Sequence, residues 1–149
     1  MMPRIHARAE KHSDVIALSL PYTHIAHKSS MPHPTAIKLR TQSKLLAITF
    51  DDGSSFELPF ECLRVYSPSA EVRGHGPGQE TLQLGKHMVG IKSLEPTGHY
   101  ALRIVFDDGH DSGLYTWSYL HELGSTHAQK WQQYLDRLND LGIAYPTKV

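Results

Sequence analysis

The side chains of this sequence that could do chemistry are its 11 histidines and its single cysteine, Cys62. His75 stands between two glycines, so the backbone around it can approach a ligand closely, and His110 directly follows an Asp-Asp-Gly turn. If the loops that carry these two histidines converge, they form a polar pocket. The predicted binding surface consists of Gly74, His75, Gly76, Gly78, Gln79 and His110. His110 and His75 are also the candidate metal ligands, and the alternative is two exposed loop histidines without a ligand.

Motifs of known metal and phosphate sites are incomplete in this sequence. The His-Glu pair at 121–122 lacks the second histidine of a zinc protease, because Ser125 stands at that position. The His-Ser-Asp run at 12–14 has the spacing of an iron facial triad, but no pattern of a jelly-roll barrel follows it. The glycine-rich stretch 74–78 does not match a phosphate-binding loop, which requires Gly-Lys and then Ser or Thr at a fixed spacing.

The remaining acidic and aromatic groups are explained by the fold. Asp51-Asp52 and Asp107-Asp108 each belong to an Asp-Gly turn, which accounts for them without paired catalytic carboxylates. The aromatic run Tyr115–Tyr119 is interpreted as core. No nucleophile, base and orienting group form a recognisable set, so acid–base catalysis by the histidines ranks last among the functions considered. We predict no catalytic residue and expect no cofactor, with zinc or iron as the metals that His75 and His110 would bind.

Composition narrows the class of partner. Lys+Arg and Asp+Glu both number 15, which gives no electrostatic reason to expect a nucleic acid or a membrane surface. One cysteine excludes an internal disulfide and favours a reducing compartment. No apolar run approaches the roughly 20 residues of a membrane helix. We therefore expect a cytoplasmic protein that binds another protein.

Two similar segments dominate the pattern of apolar residues. Alternating apolar residues run up to Phe50 and resume after Asp51-Asp52-Gly53, and the same arrangement recurs around Phe106–Gly109. Asp-Gly between alternating runs is a strong hairpin signal, because Gly accepts a positive φ and Asp tolerates it. Each hairpin is followed by a short apolar or aromatic segment. The sequence therefore predicts two related strand-turn-strand-helix units, with a further short strand over Val89–Leu94.

Two helices complete the expected architecture. Ser67 caps a short helix over Ser67–Val72, with Pro68 at its first position. Apolar residues at helical spacing predict an amphipathic C-terminal helix that is capped by Ser125 or Thr126 and ends at Gly142. The fold class is α+β in two layers: a small, mainly antiparallel sheet from the two hairpin units, packed with short helices and the C-terminal helix. The predicted division is a flexible N-terminal tail over 1–33, a domain over 34–123, and the C-terminal helix and tail over 124–149.

Several ordered motifs resemble one family. They are Pro34–Leu39, Phe50–Gly53, Leu63–Val72, Gly74–Gln79 and Phe106–His110. Together they resemble the gamma-butyrobetaine hydroxylase-like N-terminal domain family, over about residues 33 to 123. In gamma-butyrobetaine and trimethyllysine dioxygenases, this domain precedes the iron and 2-oxoglutarate catalytic domain and holds a structural zinc through three cysteines and one histidine. Other relatives stand alone or are joined to P-loop ATPases that carry iron–sulfur clusters.

This sequence departs from the zinc-binding pattern at the ligand positions. Ser67, Ser69 and Val72 stand where the resemblance places cysteines, and only His110 matches the remaining ligand. The resemblance implies a non-catalytic binding or adaptor module that lacks the oxygenase domain. Its expected partner is a protein not identified by the sequence, with an iron–sulfur carrier ATPase among the candidates. The alternative is a metal-linked accessory protein in iron–sulfur cluster assembly or delivery.

Overall fold

The structure is a computed structural model that describes residues 8–9, 15–18, 31–74 and 80–145, the first two ranges as backbone only. An antiparallel sheet with the strand order β1-β2-β3-β4-β5 forms the first half. Its strands are β1 (Arg8–Ala9), β2 (Val15–Leu18), β3 (Pro34–Arg40), β4 (Leu45–Phe50) and β5 (Ser55–Pro59). Two short helices follow, α1 (Phe60–Val65) and α2 (Ala70–Arg73).

The second half repeats this arrangement. Three antiparallel strands, β6 (Ile91–Thr97), β7 (Ala101–Phe106) and β8 (Leu114–Thr116), form a second sheet. The long helix α3 (Trp117–Asp140) begins directly after β8, as α1 begins directly after β5. Strands β3–β5 with α1, and strands β6–β8 with α3, therefore each form a three-strand unit followed by a helix, and β1 and β2 extend the first sheet. The predicted α+β fold and the pair of related units are confirmed.

The two Phe-Asp-Asp-Gly turns are held by equivalent hydrogen bonds. In the first turn, Asp51 Oδ1 accepts from the backbone N–H of His33 at 3.1 Å, and in the second, Asp107 Oδ1 accepts from Gly90 at 2.9 Å. Gly53 and Gly109 follow at φ +87 and φ +91, a conformation that glycine adopts without a steric penalty. The first aspartate of each pair therefore fastens the turn to the residue before the unit's first strand, in agreement with the predicted turn role.

The second aspartate of each pair reaches the helix of the other unit. Asp52 Oδ2 lies 2.9 Å from Nε2 of His121 in α3, whereas Asp108 Oδ2 lies 2.9 Å from Nε of Arg64 in α1. His121 and Arg64 both occupy the fifth position of their helices. The units are thus joined by a reciprocal pair of contacts, and buried residues from both sheets form one continuous core.

Glycines allow the two units to approach closely. An added Cβ at Gly124 of α3 would lie 2.4 Å from ring atoms of Phe56 in β5. An added Cβ at Gly113, next to β8, would lie 2.5 Å from Oγ of Ser67, which follows α1. Both distances are below any real Cβ contact, so these backbones could not pack as they do with a larger residue.

The structure corrects both predicted helix starts. Helix α3 begins at Trp117, and its cap is Thr116, whose Oγ1 accepts from the backbone N–H of Tyr119 at 3.1 Å. Ser125 and Thr126 lie inside the helix instead, where their hydroxyls donate to the carbonyls four residues earlier. The predicted end is confirmed, since α3 ends at Asp140 and Gly142 follows with φ +70.

The cap of α2 is Ser69, not Ser67, and Pro68 therefore precedes the cap. Ser69 Oγ accepts from the backbone N–H of Glu71 at 3.2 Å, while Ser67 Oγ lies 2.8 Å from Nε2 of His110.

Within the predicted tail over 1–33, the structure describes two short strands, β2 beside β3 and β1 beside β2, and most of the other positions lie outside the described residues. No helix of the described residues is long and apolar enough to span a membrane.

Candidate functional site

His110 forms the centre of a polar cluster between α2 and the second turn, in which His110, Ser67 and Ser69 are buried. Its Nε2 lies 2.8 Å from Ser67 Oγ, and its Nδ1 lies 3.2 Å from Glu71 Oε2. A further bond of 2.7 Å joins Ser69 Oγ to Ser112 Oγ. We call these five residues the His110 cluster. It links the segment that begins α2 to the loop between β7 and β8.

The protonation state of His110 follows from its surroundings. Burial lowers the pKa of His110, and the Arg64 guanidinium lowers it further, against the opposing influence of Glu71 and Asp108. A neutral imidazole carries a single N–H. The Glu71 carboxylate beside Nδ1 can only accept a hydrogen bond, whereas the Ser67 hydroxyl beside Nε2 can donate one. Nδ1 therefore donates to Glu71, and Nε2 accepts from the Ser67 hydroxyl.

Asp108 connects this cluster to α1. Its carboxylate accepts from Arg64 Nε at 2.9 Å, from Lys86 Nζ at 2.8 Å and from the backbone N–H of His110 at 3.2 Å. Burial alone would raise the pKa of Asp108, but the hydrogen bonds from Lys86, His110 and Arg64 lower it to about 2. Asp108 is therefore ionised throughout the physiological pH range and holds Arg64, whose side chain is only 8% exposed.

Ser67, His110 and Glu71 have the connectivity of a nucleophile, a base and an acid, a set that the sequence did not predict. Ser67 is 1% exposed, however, and its Oγ also accepts from the backbone N–H of Ser69 at 3.3 Å. The backbone of Gly113 closes the remaining side of this oxygen. An electrophile has no approach to Ser67, so the three side chains hold the α2 segment to the second turn.

The same residues test the zinc site implied by the family resemblance. The corresponding positions are Ser67, Ser69, Val72 and His110. Val72 has no donor atom, the two serine hydroxyls are hydrogen-bonded, and both ring nitrogens of His110 already have partners. Structural zinc requires four ligands of the Cys, His or carboxylate type. These residues do not fit zinc, and the described part of the chain contains no group of three or more His, Cys, Asp or Glu side chains suited to a metal.

The predicted binding surface is only partly described by the structure. His75, Gly76, Gly78 and Gln79 lie outside the described residues, so a meeting of His75 with His110 stays a prediction. Gly74 is the C-cap of α2, at φ +73. The His110 side chain is buried, with 3% exposure, and points into the His110 cluster. Cys62 is buried in α1, and burial raises the pKa of its thiol to about 12.

A cleft of about 610 Å³ lies beside the His110 cluster, between α2, residues 80–83 and α3. Cationic side chains and tyrosine rings together form much of its wall. We name it the tyrosine–cation cleft, after Tyr66, Arg73, Tyr119, Lys130, Tyr134 and Arg137. Glu80 is the acidic side chain among the described residues that line it.

The tyrosines of this cleft are held in place by their hydroxyls. Tyr119 donates to the backbone carbonyl of Tyr66, and Tyr66 donates to that of Lys130, both at 2.5 Å. Tyr134 donates to the carbonyl of Gln83, also at 2.5 Å. Burial raises the pKa of Tyr66 to about 12 and raises that of Tyr119 and Tyr134 as well. The three rings are therefore neutral and form a fixed wall.

The cations lie against this wall without an acidic partner. Arg73 Cζ is 4.9 Å from the ring centroid of Tyr119, and Lys130 Nζ is 5.6 Å from that of Tyr66. Such cation–π contacts orient a charge but do not neutralise it. Arg73, Lys130 and Arg137 form no salt bridge with any residue that the structure describes. The cleft therefore carries a local excess of positive charge.

Sequence reasoning missed this cleft. It interpreted the aromatic run that contains Tyr119 as core, and it used Tyr134 only as part of the apolar stripe of α3. The available signal was the spacing of Lys130 and Arg137, which are seven residues apart and therefore lie on one face of the helix.

A second cleft of about 930 Å³, lined by residues that include Glu61, His87 and His127, lies on another part of the surface.

The fold and these contacts define a small α+β module in which two three-strand units and their helices lock to one another. The family model described as gamma-butyrobetaine hydroxylase-like, N-terminal, matches residues 37–121. The chain belongs to this family, which confirms the resemblance that its motifs carry.

Solved structures agree with the assignment. One NMR solution structure has 48% sequence identity and a TM-score of 0.68, and the match covers 80% of this chain and 95% of that chain. A second NMR structure has 43% identity and a TM-score of 0.69, with coverages of 85% and 94%. A crystal structure of a protein with unknown function from Acidithiobacillus ferrooxidans, which belongs to the DUF971 family, has 34% identity and a TM-score of 0.52, with coverages of 62% and 92%. The comparison with curated proteins gave no match.

Proposed function

We propose that this chain is a non-catalytic binding or adaptor module and that the tyrosine–cation cleft is the surface that recognises its partner. The observation that carries the proposal is the combination of a fixed tyrosine wall with three cations that no described residue neutralises. Tyrosine and arginine are enriched among the residues that contribute most of the binding energy at protein interfaces. The enclosed Ser67 oxygen supports a role without chemistry of its own.

Affinity capture from the native cell tests this role. The full chain is immobilised as wild type, as the double variant Arg73→Gln/Arg137→Gln, and as the control Lys38→Gln/Lys92→Gln. Both variants remove two positive charges from exposed positions, but Lys38 and Lys92 lie on strands β3 and β6 and do not line the cleft. We expect one partner to be retained by wild type and control and lost by the cleft variant.

Two results would contradict the proposal. One is equal capture by the cleft variant and the wild type, which would place the contact elsewhere. The other is turnover of a substrate by the purified chain alone, with iron and 2-oxoglutarate supplied, which would show an enzyme.

The metal-linked accessory role, with zinc or iron bound through His75 or His110, stays a prediction. Metal analysis of protein purified without a tag tests it. A stoichiometric metal that is lost in His75→Ala, while His75→Ala keeps the wild-type melting temperature, would favour this role over the binding module.

A further inference from the structure

We infer that the occupant of the tyrosine–cation cleft is an acidic peptide segment of the partner protein. This inference rests on the proposed binding function and names the chemistry of the ligand. It follows from the charge of the cleft, the spacing of its cations and the surface of its wall.

The charge of the cleft is local. The whole chain has a formal net charge of zero, whereas the described residues of the cleft combine Arg73, Lys130 and Arg137 with the single acid Glu80. A neutral protein does not attract anions over long distances, but a concave patch of one sign selects them at short range. Arginine binds carboxylate groups, like phosphate groups, with two parallel hydrogen bonds.

The spacing of the cations favours a peptide over a small anion. Lys130 and Arg137 are separated by two turns of α3, about 10 Å along the helix axis. At this spacing each cation can bind a separate carboxylate of one segment. An extended peptide advances about 3.3 Å per residue, so acidic residues about three positions apart can reach both cations.

The wall between the cations suits the rest of such a segment. Tyr66 and Tyr119 use their hydroxyl hydrogens inside the protein and are half-buried, so part of each ring faces the cleft, and Leu82 adds an aliphatic side chain. Tyr134 lines the cleft as well but is buried. Ring surface binds apolar or aromatic side chains that alternate with the acidic ones. The cleft thus fits a segment that mixes carboxylates with apolar residues.

A defined peptide tests the inference. The probe is a short acetylated and amidated peptide of glutamate and tyrosine, and its control has glutamine in place of every glutamate. Titration calorimetry measures the Kd, and amide chemical shifts map the site. We expect the glutamate peptide to bind and to shift residues around Tyr119 and Lys130, to bind Arg73→Gln/Arg137→Gln about tenfold more weakly, and to lose affinity as salt is added. Lys38→Gln/Lys92→Gln should bind like the wild type.

Three outcomes would overturn the acidic peptide. They are equal affinity for the glutamine peptide, an equal loss of affinity in the Lys38→Gln/Lys92→Gln control, and binding of inorganic pyrophosphate at the cleft without binding of the peptide. If the peptide fails while affinity capture still depends on the cleft, the binding function stands and the ligand chemistry is wrong. If capture is also independent of the cleft, both proposals fail. The single variant Arg137→Gln replaces the double variant if the latter does not fold.

Discussion

Arg64 in α1 and Asp108 in the turn between β7 and β8 join the two units of the protein, with the guanidinium Nε 2.9 Å from the carboxylate Oδ2. The equivalent contact in the opposite direction joins His121 in α3 to Asp52 in the first turn. The two contacts differ in burial, since the side chains of Arg64 and Asp108 are 8% and 22% exposed and those of His121 and Asp52 are 26% and 41% exposed. The two contacts have the same length, so matched substitutions at the two turns show how much burial contributes to stability.

Asp108→Asn should destabilise the protein more than Asp52→Asn does. The first change leaves the buried Arg64 without its anionic partner, which we expect to cost about 1–2 kcal/mol because Asp108 is itself partly solvated. The second removes a contact that water largely screens. Urea unfolding of both variants measures the free energies of unfolding. Equal losses would show that the burial of Arg64 does not matter.

Gly124→Ala should destabilise the protein although it improves helix propensity. Alanine within a helix is more favourable than glycine by about 1 kcal/mol. The new Cβ would nevertheless lie 2.4 Å from the Phe56 ring, and we expect overpacking to cost about 1–3 kcal/mol. In a Phe56→Ala background, which provides space, the same change should be stabilising. An increase in thermal stability for Gly124→Ala alone would disprove the close contact.

Thr116→Ala tests the corrected start of α3. It removes the acceptor for the backbone N–H of Tyr119, a loss of about 1 kcal/mol for a typical cap. Thr126→Ala is the matched control, because its hydroxyl only donates to the carbonyl of Glu122 within the helix. Thermal unfolding should show a decrease for Thr116→Ala and little change for Thr126→Ala. The reverse order would restore the helix start predicted from the sequence.

His110 should make stability depend on pH. Burial lowers its pKa below the ordinary 6.5, so the unfolded chain takes up a proton at this position before the folded chain does. The contribution is complete above pH 6.5 and is lost as the pH falls from there toward the folded-state pKa. Denaturant unfolding from pH 8 to pH 5 should therefore show a steeper decline for the wild type than for His110→Gln, since the other histidines are common to both. Parallel pH profiles would mean that His110 titrates alike in both states.

The hairpin units could be predicted because the information is local. Alternating apolar residues and an Asp-Gly turn favour a hairpin in a few consecutive residues, and the strands on either side of both turns pair as expected. The cap of α3 could not be predicted in the same way. Thr116 ends a strand and Ser125 stands near the start of the apolar stripe, so the true start depends on β8 leading directly into α3.

The sequence by itself determined the strands of the two units, their turns and the family, because periodicity, turn chemistry and ordered motifs belong to short segments; strands β1 and β2 lie within the predicted tail and were not foreseen. Through the family resemblance it also identified Ser67, Ser69 and Val72 as replacements for the zinc-binding cysteines and His110 as the one matching ligand. Only the tertiary structure decided what they do instead, since Ser67 and His110 are far apart along the chain and meet through the packing of the two units. The tyrosine–cation cleft arises in the same way. Its charges come from α2 and α3, and no pattern in either segment alone shows that they share one surface.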